Sequence, residues 1–232
     1  MHELLTAQPG SKQLLLGNEA IVRGALEAGI SFATTYPGTP SSEIGDNFYR
    51  ISQETDLYFE YSVNEKVALE TAAAAAISEL RTMCSMKHVG LNVAADALLT
   101  LAYVGVKGGL VVVSADDPSM HSSQNEQDNR YYAQLAGLPM LEPANSQEAL
   151  EMTRAAFELS ESYQIPVLLR TTTRINHSRT PVEVGLLQPL RRTGVFKKDP
   201  FNLVTVPMVG RRLRVELLEK IDKLGTCLLY TS

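Results

Sequence analysis

Cysteine is scarce in this sequence, with Cys84 and Cys227 the two present among 232 residues. They lie far apart and form no CxxC pair, so neither a disulfide framework nor a zinc or iron–sulfur site can be built from them alone. Basic residues are not in excess, because 21 lysines and arginines face 26 acidic residues and give a net charge of −5. That balance does not favour a surface for a phosphate backbone, and we expect no nucleic-acid partner.

Long hydrophobic runs are missing as well. The N-terminus reads MHELLTAQPGSKQ and lacks the basic head and apolar core of a secretory signal. The alanine-rich stretch Thr71–Ile77 is short and is flanked by Glu70 and Glu79, which is not typical of a membrane span. We therefore expect a cytoplasmic protein with no membrane partner.

Several common functional motifs are absent. The sequence has no GxxxxGK[ST] run and no Gly-x-Ser-x-Gly elbow, so it gives no support to a P-loop or to a nucleophilic hydrolase. Gly105, Gly108 and Gly109 precede a predicted strand, whereas the glycines of a dinucleotide site follow a strand and open a helix.

Short β-prone runs alternate with helical segments, which predicts a parallel sheet covered on both faces. Leu110–Val113 is apolar at every position, as expected of a central strand. We predict an α/β, three-layer sandwich with a mainly parallel six-stranded sheet. The predicted strands are Ser31–Tyr36, Leu57–Tyr61, Thr82–Lys87, Leu110–Ser114, Met140–Glu142 and Val167–Thr172.

The predicted helices begin at residues that commonly cap a helix. Asn18 would open a helix that Gly29 ends, Ser41 or Ser42 the next, and Asn64 a long one that runs to about Leu80. Asn145 and Glu148 have the spacing of a capping box before the segment 149–162.

The alternation fades after Arg174, where prolines and glycines become frequent. We predict one domain over residues 1–180, followed over 181–232 by a linker and the start of a further region. A last helix is predicted over Arg211–Leu224. The tail Gly225–Ser232 shows no structural pattern, so we expect a truncated chain.

Four polar segments follow predicted strands, at the edge where parallel sheets bind ligands. In the first, the hydroxyls of Thr39, Ser41 and Ser42 would lie at a helix N-terminus that suits an anionic group, although an ordinary capped turn has the same composition. In the second, Glu65 lies in the first turn of an alanine-rich helix, where partial burial would let it share a proton with a ligand nitrogen. Glutamate is also common there for stabilisation by the helix dipole.

The third segment and the loop after the fourth strand supply further polar candidates. Lys87–Asn92 includes His88, and residues 115–130 read ADDPSMHSSQNEQDNR. Asp116, Asp117 and His121 resemble possible metal ligands, but Asp-Asp-Pro is more typical of a turn, and we expect no metal.

These loops resemble those of one enzyme family. Residues 36–42 (YPGTPSS) are similar to the Tyr-Pro-x-Thr-Pro-Ser-Ser motif of 2-oxoacid:ferredoxin oxidoreductases, and residues 64–68 (NEKVA) to their cofactor-activating glutamate helix. Residues 86–92 (MKHVGLN) and 114–128 (SADDPSMHSSQNEQD) resemble the α subunits of indolepyruvate ferredoxin oxidoreductases. The resemblance runs in order from about residue 14 to residue 224.

The resemblance implies a thiamine diphosphate-binding fold, of which this chain would be the aminopyrimidine domain. Glu65 would be the catalytic residue, because it would bind ring nitrogen N1′ and favour the imino form that deprotonates the thiazolium carbon. The implied cofactor contacts are Glu65, Tyr36, Pro37, His88 and Asn92. The implied substrate contacts are Thr39, His121, Gln124 and Asn125.

The implied reaction is oxidative decarboxylation of an aryl pyruvate such as indolepyruvate to an acyl-CoA, with electrons passing to ferredoxin. A β subunit, ferredoxin and coenzyme A would be the partners. The Gly-Asp-Gly motif for Mg²⁺ and diphosphate and the cysteines for 4Fe–4S clusters are absent, so they would lie in parts of the subunit that this chain lacks. A split non-oxidative 2-oxoacid decarboxylase and a non-catalytic binding module remain alternatives.

Overall fold

The computed structural model describes residues 1–190 and 193–230. Its centre is a six-stranded sheet in the order β3-β2-β4-β5-β7-β6, in which every pairing is parallel. This confirms the predicted α/β class and places each predicted strand within one or two residues of its expected ends. The strands are β2 Phe32–Thr35, β3 Tyr58–Tyr61, β4 Thr82–Lys87, β5 Leu110–Asp116, β6 Met140–Leu141 and β7 Val167–Thr172.

Helices cover both faces of this sheet. One apolar core lies under α2, α3 and α7, and the other under α4, α5, α6 and α10. The central strand β5 is buried throughout, and its side chains alternate between the two cores, as with Val111 and Val112. The helices are α1 Glu3–Thr6, α2 Gly17–Glu27, α3 Ser42–Ser52, α4 Glu65–Ile77, α5 Gly90–Val104, α6 Arg130–Ala136, α7 Ser146–Tyr163, α8 Thr173–His177, α9 Pro200–Leu203 and α10 Pro207–Tyr230.

A second, two-stranded sheet was not predicted. Strand β1 (Lys12–Leu16) pairs antiparallel with β8 (Arg179–Glu183), so that Leu14 faces Pro181. The chain directly after Arg174 is therefore part of the folded domain and not a linker, since it completes α8 and forms β8. The division at residue 180 remains a prediction, and β8 lies across it.

Two of the predicted helix caps are confirmed with their hydrogen bonds, a third is confirmed in position alone, and the fourth is wrong. The side-chain oxygens of Asn64 and Asn145 accept hydrogen bonds from the N–H groups of Val67 and Glu148, both at 2.9 Å. Asn18 lies inside α2, and its side chain contacts a distant loop instead. Ser41 is the N-cap residue of α3, but its hydroxyl donates back to the Gly38 carbonyl at 2.8 Å and makes no capping hydrogen bond.

The C-terminal helix is longer than predicted. Helix α10 spans Pro207–Tyr230, so residues 225–230, for which no structure was predicted, continue it. Leu213 and Leu217 are buried against the rest of the domain. Positions 191, 192, 231 and 232 of the predicted C-terminal region lie outside the described residues. None of the helices among the described residues combines the length and apolar character that crossing a bilayer requires.

Candidate functional site

The polar segments singled out in the sequence meet at one edge of the molecule. Because all six strands of the main sheet are parallel, the segments that follow β2, β3, β4, β5 and β7 leave from the same edge. Ligands of open parallel sheets bind at this carboxyl edge. The edge is therefore the candidate site.

Glu65 is positioned by its helix cap and by a glycine. Asn64 fixes the first turn of α4, and Glu65 is the first helical residue. Its half-buried side chain lies against Gly90, the first residue of α5: a Cβ added at Gly90 would be 2.5 Å from both Cγ and Oε1 of Glu65. Only a residue without a side chain leaves that space, so Gly90 sets where the carboxylate lies.

The Glu65 carboxylate has no partner among the described residues, since no side chain or backbone N–H there donates a hydrogen bond to it or forms an ion pair with it. The charge of Glu65 also affects the pKa of a thiol in the neighbouring core. Burial, aided by the Glu65 charge, raises the pKa of the Cys84 thiol to about 12, against an opposing hydrogen bond with Thr34. An acceptor at a helix entrance without a protein donor is suited to a ligand N–H.

The loop after β2 presents its side chains to solvent. Tyr36 is 37% exposed, and Pro37 and Thr39 are exposed as well. Gly38 lets the loop pack on the next strand, because a Cβ there would lie 3.0 Å from Cβ of Lys87. The hydroxyl of Ser122 is 3.5 Å from the Thr39 carbonyl oxygen, which links this loop to the loop after β5.

His88 is fully buried, and its contacts are with the loop after β5. Its Nε2 is 3.2 Å from the carbonyl oxygen of Asn125. Its own carbonyl accepts hydrogen bonds from the side chains of Asn129 at 3.0 Å and Gln127 at 3.2 Å. Its Nδ1 is buried and has no hydrogen-bond partner among the described residues. His88 is therefore buried beneath the surface that a ligand would contact.

Asn92 is exposed, and its amide is already paired. It exchanges two hydrogen bonds with the amide of Gln127, at 2.8 and 2.9 Å, and accepts a third from the hydroxyl of Tyr132 at 2.6 Å. The three predicted substrate contacts of the β5 loop, His121, Gln124 and Asn125, are all exposed at the same edge. The structure thus brings the predicted residues to one edge, where the side chains of Glu65 and Thr39 are among those that have no hydrogen-bond partner within the described part of the chain.

A second layer of charged residues, which sequence reasoning did not place in the site, supports the loop after β5. Fully buried Asp116 accepts from Nε of Arg170 at 2.8 Å and from the N–H of Asn129 at 3.0 Å. The same guanidinium donates to Glu142 and lies 3.7 Å from Asp128. Burial dominates at Asp116 and raises the pKa of its carboxyl despite these hydrogen bonds.

Asp117 organises the start of the same loop. Its carboxylate accepts from the hydroxyls of Ser123 at 2.6 Å and Thr173 at 2.7 Å, and from the N–H of Ser122 at 2.8 Å. Burial opposes ionisation, but these hydrogen bonds outweigh it and lower the pKa of the Asp117 carboxyl below its ordinary value. The Asp116–Asp117 pair therefore serves the loop itself. Within the part of the chain that is described, no three His, Cys, Asp or Glu side chains are grouped so as to hold a metal ion.

An open parallel sheet with a glutamate at a helix entrance on its carboxyl edge, unpaired among the described residues, is typical of an α/β ligand-binding domain. Residues 23–201 match the family model described as pyruvate flavodoxin/ferredoxin oxidoreductase, thiamine diP-binding. The chain belongs to that family, and it carries the family's thiamine diphosphate-binding domain.

Curated relatives agree with this family. Over 224 residues, 97% of this chain, the sequence is 57% identical to "Indolepyruvate oxidoreductase subunit IorA" of Methanothermobacter marburgensis, of which the match spans 36%. The IorA subunit of Thermococcus kodakarensis is 54% identical over 226 residues, 95% of this chain and 35% of the relative. The chain thus spans about a third of the length of these relatives. A lower similarity, 30% over 182 residues, links it to the 2-oxoglutarate synthase subunit KorA of Methanothermobacter thermautotrophicus, covering 72% of this chain and 46% of that subunit.

The fold also has a solved counterpart. The 2-oxoglutarate:ferredoxin oxidoreductase of Magnetococcus marinus, solved with 2-oxoglutarate, coenzyme A and succinyl-CoA bound, superposes with a TM-score of 0.76 over 95% of this chain and 46% of that chain. At 14% sequence identity, this similarity establishes the fold alone.

Proposed function

We propose that this chain is the aminopyrimidine-binding domain of an oxidoreductase that decarboxylates aryl pyruvates, indolepyruvate above all, to acyl-CoA and passes the electrons to ferredoxin. The observation that carries the proposal is the placement of Glu65 at the entrance of α4, where it is half-buried, lies against Gly90 and has no hydrogen-bond donor in the part of the chain that the structure describes. The 57% identity to a subunit named for indolepyruvate, over nearly the whole chain, supports the choice of substrate class.

The residues at the carboxyl edge fit the cofactor that the family binds. Glu65 offers an unshared carboxylate oxygen to a ring nitrogen, and the missing side chain at Gly90 keeps that oxygen accessible. When bound, thiamine diphosphate supplies a nucleophilic carbon that adds to the keto group of a 2-oxoacid and stabilises the charge left by decarboxylation. Glu65 would hold a proton at the pyrimidine ring and orient that ring.

Other residues of this edge would complete the pocket. Tyr36 and Pro37 present exposed surface that would pack on the aminopyrimidine. His88 and Asn92 would act indirectly, because both form hydrogen bonds with the loop after β5 and would hold that loop in place.

The substrate would meet the outermost side chains. Thr39 would donate its hydroxyl to the 2-oxoacid carboxylate, since it is exposed at the end of the loop that precedes α3. The exposed side chains of His121, Gln124 and Asn125 would line the opposite wall, on the loop that Ser122 links to Thr39.

The remaining components would come from outside this chain. Mg²⁺ with the diphosphate, and 4Fe–4S clusters, require ligands beyond the two cysteines and the described carboxylates, and the chain corresponds to 36% of the IorA relative. We place the cofactor domain in residues 1–180, with residues 181–232 leading toward a further region. A β subunit, ferredoxin and coenzyme A are the proposed partners, so this chain alone would be inactive.

The test is an assay of the oxidoreductase that contains this chain, co-expressed with its partner subunit. We expect ferredoxin reduction that requires both thiamine diphosphate and coenzyme A, with a kcat/KM for indolepyruvate and phenylpyruvate at least about tenfold above that for pyruvate. Release of carbon dioxide without ferredoxin reduction would indicate the non-oxidative decarboxylase instead. Activity that is independent of thiamine diphosphate would contradict the proposal altogether.

A further inference from the structure

Two buried asparagines contact the inner side of the loop that carries Thr39, residues 36–41, which we call the Thr39 loop. The side-chain amide of Asn18 donates to the carbonyl oxygen of Pro40 at 2.7 Å, and that of Asn176 lies 3.3 Å from the same oxygen. Asn176 also donates to the Asn18 side-chain oxygen at 2.5 Å. Both asparagines are fully buried, although they are 158 positions apart in the chain.

The fold brings these residues together through a close approach of two helices. Asn18 is the second residue of α2, and Asn176 lies in α8, which follows β7. A Cβ added at Gly17 would lie 2.2 Å from the carbonyl oxygen of Ile175, so only glycine lets the two backbones come this near. Gly17 is therefore a structural requirement for the contact between the two asparagines.

Asn18 also contacts the helix that follows the Thr39 loop. The Asn18 amide also donates to Oε2 of Glu43 at 2.7 Å, in the first turn of α3, and the same carboxylate oxygen lies 3.5 Å from Nε2 of His177. Asn18 thus bonds to Pro40, immediately after Thr39, and to the helix that the loop enters.

We propose that Asn18 and Asn176 are positioning residues that fix the Thr39 loop for the 2-oxoacid carboxylate, an inference that rests on the proposed role of Thr39. Thr39 is exposed, and its carbonyl has one long contact with Ser122, so its own interactions do not fix it. The asparagines instead fix the next residue. Removing either amide leaves the buried Pro40 carbonyl short of a donor, which costs more than the loss of an exposed hydrogen bond.

The first experiment measures hydrogen–deuterium exchange in the 232-residue chain carrying Asn18→Ala or Asn176→Ala. We expect exchange at the amide of Ser41, whose N–H donates to the Gly38 carbonyl at 2.8 Å, to rise at least about tenfold in each variant. Ser160→Ala is the matched control, because it removes two buried hydrogen bonds, with Ile165 and Leu110, at the opposite end of the sheet. It should lower stability without raising exchange at the Thr39 loop.

The outcome is decisive either way. Unchanged exchange at the loop in the asparagine variants, or a rise no larger than in Ser160→Ala, overturns the proposal. Because the two asparagines come from different elements, either variant suffices if the other does not fold.

The second experiment places the same variants in the oxidoreductase that contains this chain. We expect KM for the 2-oxoacid to rise at least about tenfold, while kcat and the affinity for thiamine diphosphate change by less than about threefold. A purely structural role would lower the amount of active enzyme and leave KM unchanged. Thr39→Val separates the two proposals: an unchanged KM in that variant rejects the role of Thr39, whereas the exchange measurement still decides whether the asparagines hold the loop.

Discussion

Replacing Gly90 with alanine tests whether the space beside Glu65 matters for function. The new Cβ would lie 2.5 Å from Cγ and Oε1 of Glu65 and 2.8 Å from Cδ, well inside van der Waals contact. The glutamate side chain is the part that can yield, so its carboxylate must move by about 1 Å, and a misplacement of that size costs on the order of 100-fold in rate. The helix itself should accept alanine, which is favoured over glycine by up to about 1 kcal/mol.

The assay is thiamine diphosphate-dependent ferredoxin reduction, measured beside the thermal midpoint of each variant. We expect Gly90→Ala to lose about 100-fold in turnover with its midpoint nearly unchanged. Gly210→Ala is the matched control, since it lies in α10 and a Cβ there would meet no atom within 4 Å. Full activity in Gly90→Ala would refute the reasoning, because the carboxylate would then not need its observed position.

Two further predictions concern the charged layer beneath the site. Arg170→Met leaves the buried carboxylate of Asp116 without its cation and should lower the free energy of unfolding by about 3–5 kcal/mol in urea titrations, so a loss below about 1 kcal/mol would contradict this. Asp117→Asn should destabilise the chain near neutral pH. The pKa of Asp117 is lowered on folding, so its contribution is present above the ordinary aspartate pKa and is lost as the pH falls through the lower folded value. Acid titration of both proteins should therefore show their stabilities converging in strong acid, and a constant difference at all pH values would reject the assignment.

Local sequence patterns predicted the elements that depend on local physics. The apolar run at Leu110 gave β5, because a strand buried on both faces has no polar position to interrupt it. Asn64 was identified as a cap from its place before an alanine-rich helix, and this prediction is confirmed. The position of Glu65 at the carboxyl edge follows from this cap and from the parallel sheet, since α4 comes directly after β3 and a helix after a parallel strand begins at that edge.

Contacts between distant segments were not predictable in this way. Asparagine commonly caps helices, so the residue type of Asn18 suggested a cap. Only its hydrogen bonds with Pro40 and Asn176, 22 and 158 positions away, show that it holds a loop. The pairing of β1 with β8 likewise joins the two ends of the domain and has no clear alternating pattern. One indication was available: Arg170 directly follows the apolar residues 167–169 in β7, and a buried arginine requires a carboxylate partner.

The most direct measurement compares Glu65→Gln with Glu70→Gln in the oxidoreductase that contains this chain. Both glutamates lie on α4, but Glu70 is exposed and its cation, Lys66, is 3.9 Å away. Glu65→Gln should reduce thiamine diphosphate-dependent ferredoxin reduction by at least about 100-fold with the fold intact, while Glu70→Gln should retain nearly all of it. Parental activity in Glu65→Gln would contradict the account.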